Sequence, residues 1–137
     1  MAAAAGKLQF DLVSPERLLM SEEVDQVVVP GSEGDFGVLA NHAPFVSTLR
    51  PGVVSVMQGA KTTDKVFVRG GFAEVTPHGL TILAEEAIHF DDFDGAAVDA
   101  QIKNAEEDVA DAKTDAARVN AQETLDRLRE LKAALGR

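Results

Sequence analysis

Glycines, carboxylates and an imidazole crowd into one stretch, VPGSEGDFGVLANHAP, from Val29 to Pro44. Gly31, Gly34 and Gly37 are spaced G-x-x-G-x-x-G, Glu33 and Asp35 lie between them, and Asn41, His42 and Pro44 follow. A glycine-rich turn can cradle a phosphate on its backbone amides, but the phosphate loops are G-x-G-x-x-G or G-x-x-x-x-G-K-[ST]. Neither spacing is present, no lysine follows, and Glu33 and Asp35 would repel a phosphate. Glu33, Asp35 and His42 offer oxygen and imidazole to a metal, but they are too few and match no metal spacing. Glycines that supply positive φ at tight turns account for Gly31, Gly34 and Gly37. They do not account for the acidic pair or for Asn-His-Ala-Pro. A rigid turn read by another protein therefore stays open beside a plain strand connection.

The remaining reactive residues form no catalytic constellation. His78 sits in a Pro-His-Gly turn and is expected at the surface, and His89 falls where the chain changes character. There is no G-x-S-x-G. Glu85-Glu86 and Asp91-Asp92 are adjacent, so in a strand they point apart and make no acid–base pair. The chain has no cysteine, which excludes disulfides, thiolate metal sites and a cysteine nucleophile and fits a reducing compartment. Neither a cofactor nor a metal is expected.

Composition narrows the partners. The net charge is −10 and is uneven: residues 85–137 carry −7, and within 85–115 the only bases are Lys103 and Lys113. Such a surface repels nucleic acid. Seven Phe with no Tyr or Trp make a poor binder of bases or sugars. The start, MAAAAGK, has neither the basic region nor the apolar run of a signal peptide. No apolar run approaches the roughly 20 residues of a membrane span. The expectation is a soluble bacterial, cytosolic chain without direct lipid insertion.

The elements that must position the stretch change near residue 90, which suggests a domain at 1–90 and a second at 91–137. In the first, Leu8, Phe10 and Leu12 alternate on one face. Val24–Val29 is a β-branched run stopped by Pro30-Gly31, and Arg50-Pro51-Gly52 is a turn before a strand at Val53–Met57. Val66–Val68 and Phe72–Thr76 flank Gly70-Gly71, and Leu80, Ile82 and Ala84 share a face after Pro77-His78-Gly79. Turns every 8–12 residues with no room for crossover helices indicate a mostly antiparallel sandwich or barrel. In the second domain Val98, Ile102, Ala105, Val109 and Ala112 form one helical stripe. Leu125, Leu128, Leu131 and Leu135 form another. The two are out of phase, with a bend between Lys113 and Asn120 that Thr114, Asp115 or Asn120 could cap. Narrow stripes rich in alanine predict a weakly held helical hairpin.

VVVPGSEGDFGVLANHAPFVSTLRPGVV and VFVRGGFAEVTPHGLTILAEEA together resemble the ε subunit of F-type ATP synthases, called δ in mitochondria. The resemblance extends over nearly the whole chain. It implies a β-sandwich of about ten strands followed by an antiparallel two-helix hairpin. It also implies a non-catalytic rotor subunit at the foot of the central stalk, peripheral to the cytoplasmic side of the bacterial inner membrane. Its partners would be γ and the ring of c subunits. Ser32, Glu33, Gly34 and Asp35, with Asn41 and His42, would then meet the polar loops of the c-ring. Many bacterial members carry an ATP-binding motif, Ile/Leu-Asp-x-x-Arg-Ala, at the start of the first helix. Here the stretch is Phe93-Asp94-Gly95-Ala96-Ala97-Val98: Asp94 is kept, but Ala97 replaces the arginine whose planar guanidinium would grip phosphate. No nucleotide site is expected. The resemblance further implies a hairpin that can brake hydrolysis by reaching the α/β catalytic head with a basic second helix. Here that helix is only mildly basic, with Arg118, Arg127, Arg129, Lys132 and Arg137 against Glu123, Asp126 and Glu130.

Overall fold

The computed structural model describes residues 6–135. Met1–Ala5, on which the reading of the N-terminus rests, and Arg137, counted above among the basic residues, lie outside them. The chain divides into two compact units between Phe90 and Asp91.

Among the described residues the first unit holds eight strands: β1 Leu8–Val13, β2 Leu18–Val24, β3 Gln26–Gly31, β4 Gly34–Leu39, β5 Phe45–Thr48, β6 Gly52–Gln58, β7 Lys61–Thr76 and β8 Gly79–His89. Their hydrogen-bonded order is β2-β1-β8-β7-β6-β3-β4, with β5 also on β7. The sheet must fold over itself. Only Asp25 separates β2 from β3, a reach of roughly 7 Å, yet five strand spacings of about 4.8 Å would part them in a flat sheet. The core confirms the folding, because Phe10 and Leu12 of β1 share one buried cluster with Val27 and Val29 of β3 and Val54 and Val56 of β6. The result is a β-sandwich with an open sheet.

Several features depart from the sequence expectation. Among the described residues the count is eight strands rather than about ten, because β7 and β8 run unbroken for 16 and 11 residues, β7 exchanging β6 for β5 as its partner. Gly70-Gly71 does not end a strand: φ is +72° and +100° there, and β7 turns the corner without stopping. A Cβ on Gly71 would stand 1.8 Å from the Leu83 carbonyl oxygen, so only glycine allows β8 to lie this close. Conversely, the apolar run Val24–Val29 is two strands. At Asp25 the backbone amide donates to the Met57 carbonyl at 3.1 Å, while the carboxylate accepts from Lys7 Nζ at 2.6 Å and from the Gly59 amide. β1 also pairs in parallel with β8, from Phe10↔Leu80 to Val13↔Leu83, the one exception to an antiparallel sheet among the described strands. Leu80, Ile82 and Ala84 face the core as their alternation requires.

The second unit is a helical hairpin, α1 Gly95–Asp111 and α2 Asp115–Leu135, preceded by a 3-10 turn at Phe90–Asp92. Lys132 pairs with Asp99 at 2.5 Å and Arg129 with Glu106 at 3.3 Å, so the helices run antiparallel. The buried side chains are Val98, Ala105, Leu125, Leu131 and Leu135, all stripe positions. The bend is tighter than expected. Thr114 Oγ1 accepts from the Ala117 amide at 3.0 Å and caps α2, whereas Asn120 lies inside that helix. Among the described residues no helix is long and apolar enough to cross a membrane.

Candidate functional site

The Val29–Pro44 stretch is a hairpin followed by a separate turn. β3 and β4 pair from Gln26↔Leu39 to Gly31↔Gly34, leaving Ser32-Glu33 as a two-residue tip. Ser32, Glu33, Gly34 and Asp35 are all exposed, as is Asn41, while His42 is half-buried. Val29, Pro30, Gly31 and Val38 are buried, and of Gly31, Gly34 and Gly37 only Gly34 has the positive φ expected of a turn glycine, at +129°.

The two groups of predicted residues are not one cluster. Ser32–Asp35 lie at the start of β4, and Asn41-His42 lie beyond its end, about 20 Å of strand away. The chain doubles back at Asn41, whose φ is +65°, and the His42 amide donates to the Leu39 carbonyl at 3.2 Å. β5 then returns towards the tip. Phe45 meets Phe36 of β4 edge to face, with ring centroids 5.2 Å apart, and the His42 ring stands 6.5 Å from Phe45. The surface is thus a strip with a polar turn at each end. Leu39, Phe45 and Val46 are exposed apolar side chains on the strands between them.

The tip is fastened from the side by residues whose role sequence reasoning missed. The Ser32 amide donates to the Thr48 carbonyl at 2.9 Å, and Thr48 Oγ1 donates to Ser32 Oγ at 2.9 Å. Gly31 bridges Leu49, and the Arg50 amide donates to the Pro30 carbonyl at 3.0 Å. The Arg50 guanidinium forms an ion pair with Asp35. Among the described residues Glu33 has no partner within the chain, so it is the carboxylate of the tip left to solvent. Arg50 read only as part of an Arg-Pro-Gly turn. Nothing local in the sequence couples it to a carboxylate fifteen residues away.

Asp94, the retained residue of the nucleotide motif, is the N-cap of α1. Its Oδ1 accepts from the Ala97 amide at 3.1 Å, which satisfies one of the orphan amides of the first turn. A capping role accounts for this carboxylate without a ligand. Among the described residues no group of three or more His, Asp or Glu side chains is placed to hold a metal.

The model of the β-sandwich domain of the ATP synthase delta/epsilon chain matches residues 7–90. The chain belongs to the ATP synthase delta/epsilon family. It is similar to the ATP synthase epsilon chain of Parvibaculum lavamentivorans, 58% identical over 128 residues, which span 93% of this chain and 97% of that one. The epsilon chain of Maricaulis maris is 57% identical over 117 residues, 85% of this chain and 87% of that one. Among solved structures, a chain of the Euglena gracilis mitochondrial ATP synthase, in its OSCP/F1/c-ring assembly, has the same fold with a TM-score of 0.77 at 25% identity. The match covers 98% of this chain and 84% of that chain. As a member of the delta/epsilon family the chain is an ATP synthase subunit. A match over 128 of the 137 residues extends past residue 90 into the helical hairpin.

Proposed function

We propose that this subunit is a non-catalytic part of the rotor of a proton-translocating F-type ATP synthase, carrying torque from the c-ring to the catalytic head through γ. It would work as a peripheral component of F1 on the cytoplasmic side of a bacterial inner membrane. The observation that carries the reading is the exposed and internally fastened turn Ser32–Asp35, in a chain that shares its fold with one from an F1/c-ring assembly. A backbone held in place before docking loses little entropy on binding. An outward carboxylate such as Glu33 can pair with a basic loop and set orientation. Asn41 and His42 present the second polar turn of the same strip, and the contact with γ falls on another face of the sandwich and on the hairpin. Reconstitution tests the proposal: the chain binds γ, and proton-driven synthesis is lost without it. Synthesis at full rate from a complex lacking the chain would refute it.

A second reading, a hairpin that inhibits ATP hydrolysis at the α/β head, draws support from the separate compact unit at 91–137 and its few buried side chains. In the closed hairpin Arg129 and Lys132 are engaged by Glu106 and Asp99, so a brake would first have to release them. Deleting residues 91–137 raises hydrolysis by the assembled enzyme if the brake operates. Unchanged hydrolysis removes this reading.

A further inference from the structure

We infer that Arg50 is a positioning residue for the docking turn, holding the β3–β4 tip in one geometry through Asp35 while its own backbone anchors the base of the hairpin. The inference rests on the reading of this turn as the c-ring contact. The tip is a two-residue connection between β3 and the edge strand β4, and Ser32–Asp35 are all exposed. Left alone, such a tip frays, because it has few neighbours and solvent competes for its hydrogen bonds. Here three ties converge on it from the last residue of β5 and the segment that follows it. Thr48 holds Ser32 through backbone and side chain, Leu49 bridges Gly31, and Arg50 grips both Pro30 and Asp35. The first two secure the base and one side of the tip. Arg50 reaches the opposite side at Asp35, next to Gly34 where β4 begins. Its guanidinium reaches Asp35 through one nitrogen, Nη2 to Oδ1, so the tie is a single charge-assisted contact that a lysine ammonium can also make. The geometry leaves Glu33 outward, with both flanks of the turn fixed.

The test uses the full chain and the c-ring, with Arg50→Met, Arg50→Lys and Glu33→Gln. Arg50 is exposed and outside the core, so the variants fold, and amide exchange at Val54 and Val56 serves as the internal check. In the isolated chain, Arg50→Met speeds exchange at Ser32–Asp35 by roughly two- to fivefold, the size expected from losing one exposed ion pair. Arg50→Lys restores most of the protection. On isolated c-ring, Arg50→Met weakens binding by a similar factor and Arg50→Lys recovers it, whereas a purely structural role would leave c-ring binding untouched. Unchanged exchange at the tip in Arg50→Met overturns the inference. So does faster exchange with unaltered c-ring binding when Glu33→Gln does weaken it. If neither Glu33→Gln nor Arg50→Met alters c-ring binding while exchange at the tip rises, Arg50 still braces the turn and what fails is the c-ring reading.

Discussion

Replacing Gly71 with alanine strikes the point where β7 exchanges β6 for β5 as its neighbour. Two penalties add. At φ +100° an L side chain is strained, at a cost of about 1–2 kcal/mol. The new Cβ would also stand 1.8 Å from the Leu83 carbonyl oxygen, where real contacts stay beyond 3.0 Å, so β8 must retreat by about 1.2 Å. A shift of that size breaks the ladder around Gly71↔Ala84 and Phe72↔Leu83. It also disturbs the bond that the Leu49 amide donates to the Gly71 carbonyl at 3.1 Å. Two or three net hydrogen bonds at about 1 kcal/mol each bring the total to about 3–5 kcal/mol, a large share of the 5–15 kcal/mol typical of a domain. Gly59→Ala is the control: φ is +64°, and a Cβ there meets nothing within 4 Å, so only the backbone cost of about 1 kcal/mol applies. Urea unfolding followed by far-ultraviolet circular dichroism suits a protein without Trp or Tyr. With a slope near 2 kcal/mol/M, the Gly71→Ala midpoint falls by roughly 2 M and the control by roughly 0.5 M. Equal midpoints for the two variants would refute the reasoning, because β8 would then be free to move aside at the crossing.

Two acids should show opposite pH behaviour. The Lys7 ammonium and then the Gly59 amide hold the Asp25 carboxyl below its ordinary value of 3.8, so its ionised form favours the fold. The stability that Asp25→Asn removes is therefore present above pH 3.8 and disappears as the pH falls through the depressed value; a deficit that persists below that range would contradict the assignment. Burial and then the Asp64 carboxylate push Glu22 above its ordinary 4.5, so its ionised form opposes the fold. Glu22→Gln accordingly raises the urea midpoint at neutral pH, with no difference from the parent below pH 4.5; a lower midpoint at pH 7 would show that the carboxylate has a stabilising partner. With Asp94 capping α1 and alanine at position 97, isothermal titration with ATP should detect no low-micromolar binding, and such binding would overturn the reading of this motif.

The local periodicities were readable in the residues themselves. Leu8, Phe10 and Leu12, then Leu80, Ile82 and Ala84, alternate because a half-buried strand has period two, and all six are buried. Val98, Ala105, Leu125 and Leu131 mark helical stripes for the same reason at period 3.6. The exposed turn at Ser32–Asp35 was also legible, since glycine clusters and charges seldom leave the surface. Local pattern could not show that Gly70-Gly71 carries one strand around a corner, that Asp25 divides an apolar run, or that β1 lies parallel to β8. Each depends on which strand arrives beside it, and that is set by packing one shared core. The tie from Arg50 to Asp35 belongs to the same class. Two charged residues fifteen positions apart carry no mutual signal along the chain; only the register of β3 on β4, and of β5 on β7, brings them face to face.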